Sequence, residues 1–158
     1  MVKWNRRIDQ LKWGTRKMTT DETRTWTLVR TLGPSAVGAG LFLAFAPVHL
    51  LVSEDISVAI AALTLALIGG AYIGFGASDG ATRIFWMELG VAIFYAIMAL
   101  AGLLWSPLAL PLGLAAHAVW DLLHHNGAFG APVPKWYIPF CVVFDLLAAA
   151  FFLVLYLE

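Results

Sequence analysis

Five apolar runs, separated by short polar breaks, set the pattern of this chain. A helix that crosses a bilayer needs about 20 mostly apolar residues, within a range of about 17–25. Residues 34–52, 56–77, 84–105, 108–125 and 136–157 meet that length. The breaks between them are Ser53-Glu54-Asp55, Ser78-Asp79-Gly80, Ser106-Pro107 and Asn126-Gly127. Each brings charge or turn chemistry that ends an apolar helix. Pro111 falls in the first turn of the fourth run, where proline costs little. Gly130, Pro132 and Pro134 keep the next loop irregular, and Trp136-Tyr137 opens the fifth run with an interfacial aromatic pair. In the second run Gly70 and Gly74 lie four residues apart, which predicts a face that another helix can approach closely.

Residues 1–31 break the pattern. They hold Lys3, Arg6, Arg7, Lys12, Arg16, Lys17, Arg24 and Arg30, with Trp4, Ile8 and Leu11 at helical spacing opposite the cations. This predicts a short amphipathic helix on an anionic membrane face, with a disordered basic tail as the alternative. Met18 reads as an alternative start, and no signal peptide is evident because the first apolar run comes late. The expected fold is therefore all-α and integral to a membrane. A basic interfacial segment, residues 1–31, precedes five transmembrane helices in one bundle, residues 32–158.

Composition agrees. The 158 residues are 61% hydrophobic and 13% charged, against about 45–50% and about 25% in soluble domains. Charge then orients the chain. With the N-terminus in the cytoplasm, Arg83 and Lys135 also fall inside, so all ten Lys and Arg residues are cytoplasmic. Glu54, Asp55 and Glu158 face the opposite side. This follows the positive-inside rule and places the C-terminus outside, as in a bacterial inner membrane. The single cysteine, Cys141, excludes an intrachain disulfide and a multi-cysteine metal site.

The candidate chemistry lies in residues that an apolar slab disfavours. An ionisable group at mid-bilayer costs roughly 2.5–3.5 kcal/mol, yet the runs contain Glu88, Asp121, Asp145, His49, His117, His124 and His125. At about 100° per residue, His117, Asp121 and His124 fall within roughly 60° of one another, and His125 lies at the edge of that face. At about 1.5 Å per residue from the cytoplasmic ends, Glu88 lies about 7 Å deep, Asp121 about 6 Å, His117 about 12 Å and Asp145 about 15 Å. Three non-adjacent runs thus place acids or histidines in one half of the membrane, where convergence offsets their cost.

His117, Asp121, His124, His125, Asp145 and Glu88 are the candidate metal ligands, with Asp121 or Glu88 as candidate base. Histidine and carboxylate ligands with little sulfur suit Zn, Fe or Mn. Cys141 and Tyr95 are secondary candidates. Each group also has a plainer reading: a hydrogen bond to a neighbouring helix, an interfacial pairing of Glu88 with Arg83 or Lys135, a cap at His125. His49 reads as an interfacial histidine. Haem is not expected, because His49 and the other histidines lie at opposite depths. Nucleotide and nucleic acid are not expected either, since no P-loop or G-x-G-x-x-G is present.

The spacing His117-x-x-x-Asp121-x-x-His124-His125 resembles the histidine boxes of membrane desaturases and hydroxylases. Those carry about eight box histidines, whereas this chain has four in all. In outline the chain is also similar to intramembrane zinc hydrolases related to alkaline ceramidases, which use three histidines, an aspartate and a serine on seven spans. As a whole it resembles small multi-span bacterial inner-membrane families. The first two resemblances imply a metal more than a reaction. Three readings stay open. One is a metal-binding membrane protein, potentially an enzyme acting on a lipid-soluble substrate. Another is an accessory or assembly subunit of a larger membrane complex or homo-oligomer, with a structural polar cluster. The third is a proton or ion pathway.

Overall fold

The computed structural model describes the backbone of residues 20–157 and the side chains of residues 32–157. The amphipathic helix expected around Trp4, Ile8 and Leu11 lies outside the described residues. Five α-helices follow: α1 (Thr20–Leu51), α2 (Glu54–Asp79), α3 (Thr82–Leu104), α4 (Ala109–Leu123) and α5 (Tyr137–Leu157). A 3-10 turn, His125–Gly127, follows α4.

Most breaks fall where the polar residues put them. Ser53 takes the N-cap position of α2, and Gly80 ends the helix in the left-handed conformation at φ 79°, which glycine adopts without a Cβ clash. Two helices differ from expectation. α1 does not start at Pro34 but runs back to Thr20, so Pro34 and Pro47 both lie inside it. α4 is shorter than the 108–125 run. Leu108 is its N-cap, and the chain leaves the α-helix at His124. Asn126 at φ 57° and Gly127 at φ 70° then turn it away.

Leu32–Leu51, α2, α3 and α5 are long and apolar enough to cross a membrane. α4, with 15 residues, extends about 22 Å, less than a hydrocarbon core of about 30 Å. The outer surface fits lipid rather than water. Leu43 is 69% exposed, Leu67 65% and Leu104 67%. Long apolar helices with apolar exteriors make this a multi-pass membrane protein.

α2 packs most extensively on α3, and α4 on α5, with further contacts of α4 to α3 and α2. The buried stripe of α2 runs Val58, Ala61, Ala62, Leu65, Gly69, Tyr72, Gly76. It has helical spacing. Its close approaches are at Gly69 and Gly76, not at Gly70 and Gly74. A Cβ on Gly69 would lie 2.7 Å from the Cβ of Tyr95, and one on Gly76 would lie 3.0 Å from Glu88 Cγ. Gly70 and Gly74 have nothing within 4 Å. One residue of offset turns a helix by about 100°, which moves the predicted pair off the packed face.

α1 meets α5, where Gly38 abuts the Phe140 carbonyl and Ser35 Oγ donates to the Pro139 carbonyl at 3.3 Å. The connections gather at two ends. At one, the start of α3 meets the α4–α5 loop through Glu88 and Ala131. At the other, the end of α1, the start of α2 and the end of α5 meet through His49, Ser57 and Tyr156. Leu65, Leu110, Leu114, Phe144 and Phe152 belong to the apolar core.

Gly69→Ala should lower stability by about 1–3 kcal/mol through overpacking against Tyr95. Gly70→Ala should stay within about 0.5 kcal/mol of wild type or gain slightly from helix propensity. Unfolding in mixed detergent micelles measures both, and equal effects would refute the assigned face.

Candidate functional site

α4 places His117 and Asp121 one turn apart on its buried face, and α5 brings Asp145 opposite. All three side chains are fully buried. His117 Nδ1 lies 2.7 Å from Asp145 Oδ2 and 3.6 Å from Asp121 Oδ2. Candidate ligand atoms of the three residues lie within 4.8 Å of one another. Tyr72 of α2 donates its hydroxyl to Asp121 Oδ1. Asp121 Oδ2, Asp145 Oδ1 and His117 Nε2 are buried and make no hydrogen bond, although the Ile68 backbone lies beside the His117 ring.

Charge defines what this group can do. One histidine cannot neutralise two carboxylates, so with both acids ionised the cluster keeps an excess negative charge even when His117 is protonated. Isolated buried charge costs several kcal/mol per ion. An extra proton or a cation would relieve that cost, and the unpartnered oxygens are where either would attach.

Glu88 and His124 form a second, separate pair. His124 Nδ1 lies 2.9 Å from the Trp120 carbonyl. That oxygen only accepts, so Nδ1 carries a hydrogen. His124 Nε2 lies 2.9 Å from Glu88 Oε1, and the two share one further proton. The same Glu88 oxygen accepts the Ala131 N–H at 2.9 Å. Glu88 thus closes the α4–α5 loop onto α3. Gly130, at φ 72°, fits directly against this pair, since a Cβ there would run into His124 Nε2 and Glu88 Oε1.

The six expected ligands therefore do not form one cluster. His117, Asp121 and Asp145 converge. Glu88 and His124 pair beside them, with Glu88 tied to loop backbone at Ala131 and not to Arg83 or Lys135. His125 is exposed in the 3-10 turn. The histidine-box spacing thus diverges at its His-His end, because the α-helix stops at Leu123. Tyr95 does not donate to the cluster. Its hydroxyl bonds the Ala116 carbonyl at 3.2 Å, and its ring stands edge-on to His117 with centroids 5.1 Å apart. Cys141 is buried one turn before Asp145. His49 lies in the last turn of α1, buried, and bonds Ser57 rather than the cluster.

Tyr72 is the residue that sequence reasoning missed. It touches both sets, bonding Asp121 while its ring centroid lies 4.8 Å from His124 and 5.6 Å from His117. The available signal was a buried-stripe tyrosine three residues after Gly69. The Ala131 N–H had no signal, because backbone donors carry no residue identity.

Glu88→Ala should destabilise the folded protein by about 3 kcal/mol, since it leaves His124 and the Ala131 N–H without their acceptor. Hydrogen exchange should show residues 125–136 opening first, while Glu88→Gln keeps part of the protection. Uniform loosening of all helices would argue against a loop closure.

The model of DUF6010, a family of unknown function, matches residues 34–156, and the chain belongs to that family. Comparison with curated proteins and with solved structures finds no match.

Proposed function

We propose that this DUF6010 member holds a divalent transition-metal ion between His117, Asp121 and Asp145. The convergence of two buried carboxylates on one histidine nitrogen, with unpartnered oxygens, carries the reading. Tetrahedral bonds of about 2.1 Å set ligands about 3.4 Å apart. Separations of 2.7 Å and 3.6 Å bracket that spacing. Nitrogen and oxygen ligands favour Zn, Fe or Mn. Tyr72 would hold Asp121 in place, and the Ile68 backbone would offer an acceptor to the second His117 nitrogen.

Three protein ligands leave room for a further one, the arrangement of catalytic sites, and a bound ion would supply Lewis-acid chemistry there. Of the two expected bases, Asp121 is committed to Tyr72 and the ion, whereas Glu88 keeps an unpartnered Oε2 beside its bonds to His124 and Ala131. The three residues are fully buried among helices whose outer faces are apolar. A substrate would thus be lipid-soluble and enter between helices.

The topology belongs to the same proposal: five crossings of a bacterial inner membrane, N-terminus inside, C-terminus outside, with α4 as a short fifth span. In support, α4 begins near Glu54 and Asp55, which share a cavity with Trp105 and Pro107, and ends at Glu88. Arg83 and Lys135 then lie at the opposite end from Glu54 and Asp55. The basic N-terminal residues would meet anionic headgroups.

A second reading has its own observation. The bonded Glu88–His124–Ala131 set behaves as a helix lock, which suits an accessory or assembly subunit whose polar groups are structural. A proton or ion pathway fits less well. The polar groups at the two ends are separated along α5 by the apolar Ala148, Ala149 and Phe152.

Elemental analysis of gently purified wild type should find near one Zn, Fe or Mn per chain, and none in Asp121→Ala. Tyr72→Phe should weaken binding by about 10–100-fold. Metal-free wild type, with Asp121→Ala only less stable, would favour the structural lock.

A further inference from the structure

At the end of the fold away from the His117 cluster, a second polar group is built from three helices. His49 Nδ1 of α1 lies 2.8 Å from Ser57 Oγ of α2. Ser57 Oγ lies 2.8 Å from the Tyr156 hydroxyl of α5. His49 is 3% exposed and Ser57 1%. The His49 ring is held edge-on between Phe45 and Phe152, with centroids 4.6 Å from each. Its Nε2 is buried and unpartnered. All three polar residues line a cavity of about 250 Å³, together with Glu54, Leu50 and Leu155.

Two hydrogen bonds suffice to lock the three helices, but the unpartnered His49 Nε2 and the adjoining cavity go beyond that role. Here a hydroxyl is bonded to an imidazole nitrogen at the edge of open space, which is the pairing that activates a serine. Ser57 also sits in the first turns of α2. Its own N–H bonds the Ser53 carbonyl, and the Ser53 side chain caps nothing. The N–H groups of Glu54, Asp55 and Ile56 therefore have no partner within the helix. Helical side chains lean toward the N-terminus, which brings Ser57 Oγ toward those donors. They are suited to a developing oxyanion.

We propose that Ser57 is a nucleophile for acyl transfer, with His49 as its base and a lipid carboxylic ester as its substrate. The cavity lies where the end of α1, the start of α2 and the end of α5 meet, and mixes polar with apolar walls, which suits a lipid ester. Ser57 Oγ adds to the ester carbonyl as its proton passes to His49 Nδ1. The C–O bond to the alcohol breaks, and the alcohol leaves with that proton. Water then adds to the acyl-serine, again giving a proton to His49, and the carboxylic acid departs as Ser57 regains its hydrogen. The sum is ester plus water giving acid plus alcohol. Tyr156 is a positioning residue that holds Ser57 Oγ. This inference is independent of the metal reading, because it uses none of His117, Asp121 or Asp145.

The test is a fluorophosphonate probe on the full chain in detergent, with the adduct mapped by mass spectrometry. Labelling at Ser57 is expected, absent in Ser57→Ala and slowed about 100-fold or more in His49→Gln. Size-exclusion and thermal unfolding profiles confirm folding. If Ser57→Ala does not fold, the wild-type map and the His49→Gln rate decide. Folded wild type without an adduct at Ser57 overturns the proposal, as does an unchanged rate in His49→Gln.

Discussion

Burying ionisable groups in an apolar interior is the constraint on which the rest of this fold depends. Glu88, His117, Asp121 and Asp145 are each fully buried, and His124 nearly so. An uncompensated charge at such positions costs several kcal/mol, a large fraction of ordinary folding stability. Each group must therefore find partners on another helix. α4 reaches α5 through His117 and Asp145, α2 through Asp121 and Tyr72, and α3 through His124 and Glu88. The short α4 thus binds to three neighbours by polar contacts as well as apolar ones.

Glycine makes those contacts geometrically available. Gly76 lets α2 come against Glu88, and Gly69 lets it come against Tyr95. Gly113 similarly admits Leu65, and Gly130 admits the His124–Glu88 pair. Dispersion contributes little per atom pair but much over such close faces. In lipid, where no hydrophobic force drives helices together, close packing and interhelical hydrogen bonds carry the association. The two sets of polar residues and the small residues beside them form one design: the glycines permit the approach, and the ionisable groups reward it.

The two ends of the fold differ in chemistry. At the Glu88 end, carboxylates outnumber the histidine they share, which suits a cation or proton. At the Ser57 end, a neutral hydroxyl chain meets an imidazole beside a cavity, which suits addition to a carbonyl. Apolar residues lie between them, so each end answers to its own partners.

The chain's order of apolar runs and breaks determined the all-helical class, the positions of most helix ends and the identity of the buried ionisable residues. Those features are local: a run of apolar residues makes a helix wherever it lies, and Gly80 or Asn126-Gly127 stops one through its own backbone preference. Periodicity also placed His117 and Asp121 on one face. Partner choice was different in kind. Which glycines pack depended on the rotation of α2 against α3, and one residue of offset moved the contact from Gly70 to Gly69. The separation of Glu88 and His124 from Asp145 depended on where α4 stops and on an Ala131 N–H that no side-chain pattern encodes. The pairing of His49 with Ser57 and Tyr156 joined residues from three helices. Angles between helices and the path of a loop arise from the sum of many weak contacts distant in sequence, so only the tertiary structure decided them.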